Sequence, residues 1–212
     1  MTRRGNRRYR AVVAYVRAAD RQEQVVAAAI RVLEAVGVAG TTMRAVAAEA
    51  GVPLGTLHYA FPSRDELLRA VITKVVDDTS AALREALDLE QGVEHALRQG
   101  VSTFWAMLLD GGTGVQVLQY ELAMYSARSD AGGLARLEFA RYTDLLTELC
   151  AEAAAFAGEQ TAVPADVLGR LVLGVVDGLV LQHIANPDPE RSQRDLGHAL
   201  DMLVALAAPR RR

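Results

Sequence analysis

Residues 20–68 constrain the fold more than any other stretch of this chain, because they hold several helical segments with very little sequence between them. They read DRQEQVVAAAIRVLEAVGVAGTTMRAVAAEAGVPLGTLHYAFPSRDELL. Asp20 and Glu23 have the spacing of a capping box at the start of a helix. Further on, Gly51-Val52-Pro53 separates two short helical segments. Two short helices joined by a tight turn that contains glycine predict a helix-turn-helix.

Capping residues predict where these helices begin and end. Gly37 and Gly40 suit the end of the first helix, since glycine adopts the left-handed conformation without steric cost. Ser63 and Glu66 form a second capping box, which opens a long fourth helix. Between them we predict a second helix from Met43 to Ala50, capped by Thr41 or Thr42, and a third helix from Leu54 to Tyr59.

The order of these motifs closely resembles the DNA-binding domain of the tetracycline-repressor (TetR) family. The motifs cover about a quarter of the chain, and the rest resembles the family in length and helical character. The resemblance implies a transcription regulator with a helix-turn-helix domain followed by a helical domain for ligand binding and dimerisation. The matching residues are the glycine-ended first helix, Thr41 to Arg44, Ala47 to Val52, Gly55 to Phe61 and Ser63 to Leu68.

The remainder of the chain predicts an all-α fold of about nine helices, because no stretch alternates like a strand and apolar residues recur at helical spacing. We expect four parts. They are a basic N-terminal arm (1–19), the helix-turn-helix DNA-binding domain (20–66), a helical effector-binding and dimerisation domain (67–208) and a basic tail (209–212).

The net charge of −3 conceals a strong asymmetry. Residues 1–76 carry twelve Lys and Arg against six Asp and Glu, whereas residues 77–209 carry eight against twenty. A basic head supplies the counterion release that drives phosphate binding. The first nineteen residues alone hold six arginines and no acid. This arm either follows DNA into a minor groove or is a solvated tail, and residues 9–19 are also compatible with a short extra helix.

The resemblance implies which side chains contact DNA. The N-terminal part of a recognition helix meets base edges, and surrounding side chains hold phosphates. Arg44 is the candidate for reading guanine. Tyr59 is a candidate phosphate ligand, with packing beneath Phe61 as the alternative, and Leu57 and Phe61 are expected in the core. The full set of implied DNA contacts is Thr42, Arg44, Gly55, Thr56, His58, Tyr59 and Arg64.

The last two predicted helices are the candidate dimer interface. Gly174 and Gly178 are four residues apart and allow close backbone approach, and apolar residues lie on more than one face of their helix. Two such pairs form the four-helix interface that the resemblance implies, and burial within the chain is the alternative. The predicted interface residues are Leu171, Gly174, Val175, Gly178, Leu196, Leu200 and Leu203.

Aromatic and methionine side chains gather in the middle of the predicted body, where a helical bundle can enclose an apolar cavity with a few polar groups. The candidate ligand contacts are Phe104, Trp105, Tyr120, Glu121, Met124, Tyr142, Asp177 and Gln182, although any one aromatic residue is more often ordinary core. The expected effector is small and apolar. A positive charge on it would suit the acidic body.

Enzyme, metal and cofactor sites are not predicted. The four histidines are far apart, and the chain has no nucleophile elbow, Walker loop or dinucleotide fingerprint. Glu121 with Glu138 or Asp144 could be read as paired carboxylates, but we interpret them as solvated helix faces. The single cysteine, Cys150, is expected to be a buried structural thiol. We find no convincing signal peptide or membrane span, so we expect a cytoplasmic protein.

The sequence therefore predicts a homodimeric, TetR-like regulator that binds a palindromic DNA operator and is released by a small apolar effector. A repressor is favoured, and an activator of the same fold remains open. The other alternative is a DNA-coating protein without sequence preference, which would bind through charge alone.

Overall fold

The computed structural model describes the backbone of residues 3–129 and 133–211, and the side chains within these ranges from Asp20 onward. The prediction of an all-α fold is confirmed. Two-residue strands, β1 (Glu159–Gln160) and β2 (Arg210–Arg211), pair antiparallel near the C-terminus. The helices are α1 (Arg3–Gly40), α2 (Met43–Glu49), α3 (Leu54–Ala60), α4 (Arg64–Ala86), α5 (Val93–Met107), α6 (Thr113–Arg128), α7 (Leu134–Ala157), α8 (Ala165–Ala185) and α9 (Pro189–Ala207), with a 3₁₀ turn at Leu89–Gln91 and a π turn at Leu108–Gly112.

Helix α1 differs from the prediction at its start. It begins at Arg3, so Asp20 lies inside the helix and the boundary predicted there is wrong. Gly37 interrupts α1 with φ 69° and ψ 175°, a combination that is essentially restricted to glycine. The break therefore falls where the sequence predicted the helix to end. The proposed DNA contacts of the arginines among residues 1–19 lie outside the described side chains.

The chain divides into two compact units. The N-terminal unit contains residues 1–74 and 118–134, and the C-terminal unit contains residues 75–117 and 135–212. The prediction placed the boundary between the DNA-binding domain and the effector-binding domain after residue 66. The N-terminal unit also includes the second half of α6, a segment that no local sequence signal assigned to it.

The N-terminal unit has a small apolar core with polar ties between its helices. Leu57 and Phe61 are buried in it, as predicted. The Gln24 side-chain amide donates to the backbone carbonyl of Ala50 at 2.8 Å, which holds the end of α2 against α1. The largest fully buried side chains of this unit are Leu33, Leu57, Leu67, Leu68, Ile72, Leu118, Leu122, Leu134 and Val25.

Two of the predicted helix caps are present. The hydroxyl of Thr42 accepts a hydrogen bond from the Ala45 N–H at 3.1 Å and caps α2. The hydroxyl of Ser63 accepts one from the Glu66 N–H at 3.1 Å at the start of α4. Each bond satisfies a backbone donor that has no partner within the helix.

In the C-terminal unit, α5, α8 and α9 pack around buried aliphatic side chains and one polar pair. The Nδ1 atom of His183 on α8 lies 2.9 Å from the hydroxyl of Ser192 on α9, and both residues are buried. Trp105 on α5 meets the His183 ring in an edge-on arrangement, with ring centres 5.5 Å apart. The hydrogen bond compensates for burying these polar groups, so the histidine links the three helices.

Among the described helices, α8 is long and apolar enough to span a membrane by length and composition, with a mean hydropathy of 1.6. This is a weak indication, because core helices of soluble proteins pass the same test. Asp166, Arg170 and Asp177 all lie within α8.

Candidate DNA-binding surface and ligand cavity

The helix-turn-helix exposes most of the side chains that the resemblance assigned to DNA contact. Thr42, Arg44, Gly55 and His58 are exposed, and Thr56 is half-buried. Tyr59 is 91% exposed, so the alternative in which it packs beneath Phe61 is wrong. A large aromatic side chain that its own chain leaves in solvent is available to a partner.

Arg64 differs from the expectation of a phosphate contact. Its guanidinium donates hydrogen bonds to the backbone carbonyl of Val38 and to the hydroxyl of Tyr125, the second at 3.2 Å. It also lies over the Tyr125 ring, 5.1 Å from the ring centre, a cation–π distance. Both terminal nitrogens of Arg64 are therefore used inside the N-terminal unit.

A cavity of about 80 Å³ lies within the C-terminal unit. One water molecule needs roughly 10–15 Å³, so the cavity is large enough for a small organic molecule. Burial raises the pKa of the Cys150 thiol in its wall to about 11, which keeps the thiol protonated and unreactive at neutral pH. The lining is Thr79, Leu83, Leu87, Ala96, Leu97, Gly100, Val101, Phe104, Gln116, Tyr142, Leu145, Leu146, Leu149, Cys150, Val172, Leu173, Val176 and Asp177.

Three of the eight predicted ligand contacts line this cavity: Phe104, Tyr142 and Asp177. Trp105 does not, because it is buried against His183. Gln182 is exposed on α8. The remaining three, Tyr120, Glu121 and Met124, belong to the N-terminal unit.

Glu138 was missed by the sequence analysis, which read it as part of a solvated helix face. It is only 5% exposed, and its Oε2 atom is buried without a hydrogen-bond partner. Burial, and to a lesser extent the negative charge of Asp177, raise the pKa of this carboxyl to about 8. Glu138 precedes Tyr142 and Leu145 by four and seven residues, so all three share one face of α7. A single carboxylate among apolar residues on one helix face was the feature of the sequence that could have identified Glu138.

The predicted dimer interface is partly wrong. Leu196, Leu200 and Leu203 of α9 are buried in the core of their own unit, so they are not available to a second subunit. The α8 residues differ. Leu171 and Gly174 are exposed, Val175 and Gly178 are half-buried, and a side chain added at either glycine would meet open space.

Apolar residues therefore remain exposed or half-buried on both α8 and α9, and we treat them as one face. On α8 it contains Leu171, Gly174, Val175, Gly178 and Leu181, which recur at helical spacing. On α9, Met202 and Leu206 are 55% and 37% exposed and lie one turn apart. We call these seven residues the α8/α9 face.

Comparisons with known proteins agree with this architecture. A sequence profile described as bacterial regulatory proteins, tetR family, matches residues 25–71. The nicotine-responsive transcriptional repressor HdnoR of Paenarthrobacter nicotinovorans is 27% identical over 81% of this chain and 88% of its own length. The transcriptional regulator BetI of Burkholderia thailandensis is 27% identical over 90% and 95% of the two chains.

Solved structures give the same result. The multidrug-binding protein EbrR in complex with ethidium superposes with a TM-score of 0.68 at 28% identity, over 88% of this chain and 98% of EbrR. A TetR-family regulator from Rhodococcus sp. superposes with a TM-score of 0.74 over 89% and 99% of the two chains, at 19% identity, and so shows the fold alone. HdnoR, BetI and the Rhodococcus protein are described as transcription regulators.

Proposed function

We propose that this chain, whose residues 25–71 match the tetR-family profile, is a ligand-responsive repressor of that family. In this proposal a homodimer binds a palindromic operator and releases it when a small apolar effector enters the cavity. The observation that carries the proposal is the presence, in one chain, of an exposed helix-turn-helix surface and a mostly apolar cavity in the other unit.

The DNA contacts that we propose are Thr42, Arg44, Gly55, Thr56, His58 and Tyr59. Arg44 is exposed on α2 and reads guanine through paired hydrogen bonds. Gly55 permits close approach of α3 to the groove, since it carries no side chain. Tyr59 donates its hydroxyl to a phosphate oxygen. The short α3 offers few base contacts, so paired half-sites supply much of the specificity.

The homodimer is supported by the α8/α9 face, which would be covered by the same face of a second copy around a two-fold axis. Glycines at 174 and 178 let the two α8 helices approach closely. Covering this face also removes an apolar surface from solvent. Dimerisation places two helix-turn-helix domains at the spacing of two half-sites, which a palindromic operator requires.

Effector control is supported by the cavity and by two relatives. HdnoR is described as nicotine-responsive, and EbrR is described as a multidrug-binding protein with bound ethidium. Helices α4 and α6 contribute residues to both units, so a shift of either helix on effector binding is the proposed route to the DNA-binding domain. A coupling free energy of roughly 1–3 kcal/mol changes operator affinity about 5- to 150-fold.

The decisive experiment is selection of DNA from a random library with the purified protein, followed by affinity measurements at several salt concentrations. A palindromic consensus bound by two protein chains supports the proposal and provides an operator for effector screening. Binding that is tight only at low salt, with no enriched site, would contradict it and favour the DNA-coating protein. Reporter expression from a promoter that contains the selected site distinguishes repression from activation.

A further inference from the structure

One carboxyl group lines the cavity, and a second, buried carboxyl group lies close to it. Asp177 on α8 is the one charged residue among those that line the cavity in the described part of the chain. Glu138 on α7 lies close enough for the Asp177 charge to act on it. It is one helical turn before Tyr142 on the face that continues into the cavity wall.

Glu138 is almost fully buried, and both influences on its carboxyl group disfavour the charged form. Its Oε2 atom is buried and makes no hydrogen bond, and the charged group acting on it repels a negative charge. A buried carboxylate is costly unless a positive charge compensates it. A bound proton removes this cost, and an organic cation would replace the proton.

We propose that the effector is a small organic monocation, with its charge beside Glu138 and Asp177 and its apolar body against the leucine-rich wall of the cavity. This inference rests on the proposed function, because it assumes that the effector occupies this cavity. Phe104 and Tyr142 line the same cavity, and aromatic rings attract cations through the negative potential of their faces. The carboxyl groups and aromatic rings therefore favour a cation over a neutral compound, which an apolar lining alone would not do.

Cation binding is linked to proton release. The pKa of Glu138 is about 8, and a nearby positive charge lowers it. Below that pKa the cation must displace the proton, so its affinity rises with pH and levels off above about pH 8. The increase is at most about tenfold per pH unit, because one proton is released.

The test uses two probes of nearly the same shape, phenyltrimethylammonium and tert-butylbenzene, which differ by one positive charge. We measure their binding to the full-length protein by equilibrium dialysis between pH 6 and pH 8. The cation is expected to bind at least about tenfold more tightly than the neutral compound at pH 7.5. Glu138→Gln is expected to lower affinity for the cation about tenfold, remove its pH dependence and leave the neutral compound unaffected.

The matched control is Asp144→Asn, which changes an exposed carboxylate on the same helix and is expected to leave both affinities unchanged. The inference would be overturned by equal binding of the two probes or by no binding of the cation at millimolar concentration. It would also be overturned if Glu138→Gln bound the cation as tightly as wild type. Operator release is measured separately. If the cation binds through Glu138 without releasing DNA, the cation site stands and effector control through this cavity fails. If the neutral compound alone releases DNA, effector control stands and the inference of a cationic effector fails.

Discussion

The carboxylate of Glu121 in α6 accepts a hydrogen bond from the backbone N–H of Val38 at 2.8 Å. Val38 follows Gly37, where α1 is interrupted. Arg64 donates to the carbonyl of the same residue and to the Tyr125 hydroxyl one turn after Glu121. Both backbone polar groups of Val38 are therefore bound by side chains. This contact fixes the end of α1 just before the helix-turn-helix.

The first prediction concerns Gly37. A methyl group there would lie 3.0 Å from the Glu121 carboxylate, and its φ of +69° is strained for any residue with a Cβ. Gly37→Ala is expected to lower the free energy of unfolding by about 1–2 kcal/mol, measured by urea unfolding. The control is Gly197→Ala in α9, where a methyl group would meet nothing within 4 Å. Equal stability of wild type and Gly37→Ala would show that this backbone conformation carries no strain.

A second prediction separates Arg64 from the DNA contacts. Arg64→Met keeps an apolar side chain and removes the hydrogen bonds to Val38 and Tyr125, so it is expected to lower thermal stability. It should leave the salt dependence of operator binding unchanged, because both terminal nitrogens of Arg64 are already bound within the protein. Arg44→Ala should instead weaken binding by about 1–3 kcal/mol and relax base preference. If operator affinity depends less on salt concentration in Arg64→Met than in wild type, Arg64 does contact a phosphate.

A third prediction concerns Tyr59. Because its side chain is 91% exposed, Tyr59→Phe and Tyr59→Ala are expected to melt at the wild-type temperature. If the hydroxyl binds a phosphate, both changes weaken operator affinity by about 1 kcal/mol or more, with no change in the preferred sequence. Affinity is measured by fluorescence anisotropy on a labelled operator. If Tyr59→Phe binds the operator with wild-type affinity, the hydroxyl does not bind a phosphate and only the ring of Tyr59 can contribute to binding.

A fourth prediction tests the α8/α9 face. Leu171→Glu and Met202→Glu place charges on exposed apolar positions and are expected to give folded monomers with much weaker operator binding. Size-exclusion chromatography with light scattering reports the mass. Phe156→Glu is the control, since Phe156 is 65% exposed on α7, outside the proposed interface. Leu203→Glu should instead unfold the protein, because Leu203 is buried. Dimeric Leu171→Glu would contradict the interface.

A fifth prediction follows from the raised pKa of Glu138. The folded state binds this proton up to about pH 8, whereas an unfolded glutamate loses it near its ordinary value of about 4.3. The contribution of Glu138 to the free energy of unfolding is complete below its pKa in the unfolded state and is lost as pH rises toward 8. Glu138→Gln does not titrate, so its stability relative to wild type is expected to increase with pH by up to about 1.4 kcal/mol per unit. Urea unfolding at pH 5.5 and 7.5 measures this, and a constant difference between the two proteins would argue against the raised pKa.

Local sequence signals predicted the helix-turn-helix with few errors. Capping at Thr42 and Ser63 and the break at Gly37 depend on residues within a few positions of each other, so they can be read directly. The start of α1 was wrong because the capping spacing of Asp20 and Glu23 also occurs inside a continuous helix.

The body was predicted less well, because a helical pattern shows that a face is apolar but not what covers it. Leu171 and Leu203 have the same character in the sequence. The structure leaves the first exposed and buries the second.

The sequence by itself determined the all-α class, the order of the helix-turn-helix segments and the resemblance to the TetR family, since these depend on capping, periodicity and local motifs. Only the tertiary structure decided that Arg64 binds Val38 rather than facing solvent, that Glu138 is buried beside Asp177, and which leucines remain outside. Each of these depends on which helices pack together across a long separation in the chain. The free energy of a carboxyl or guanidinium group is set by those neighbours rather than by adjacent residues.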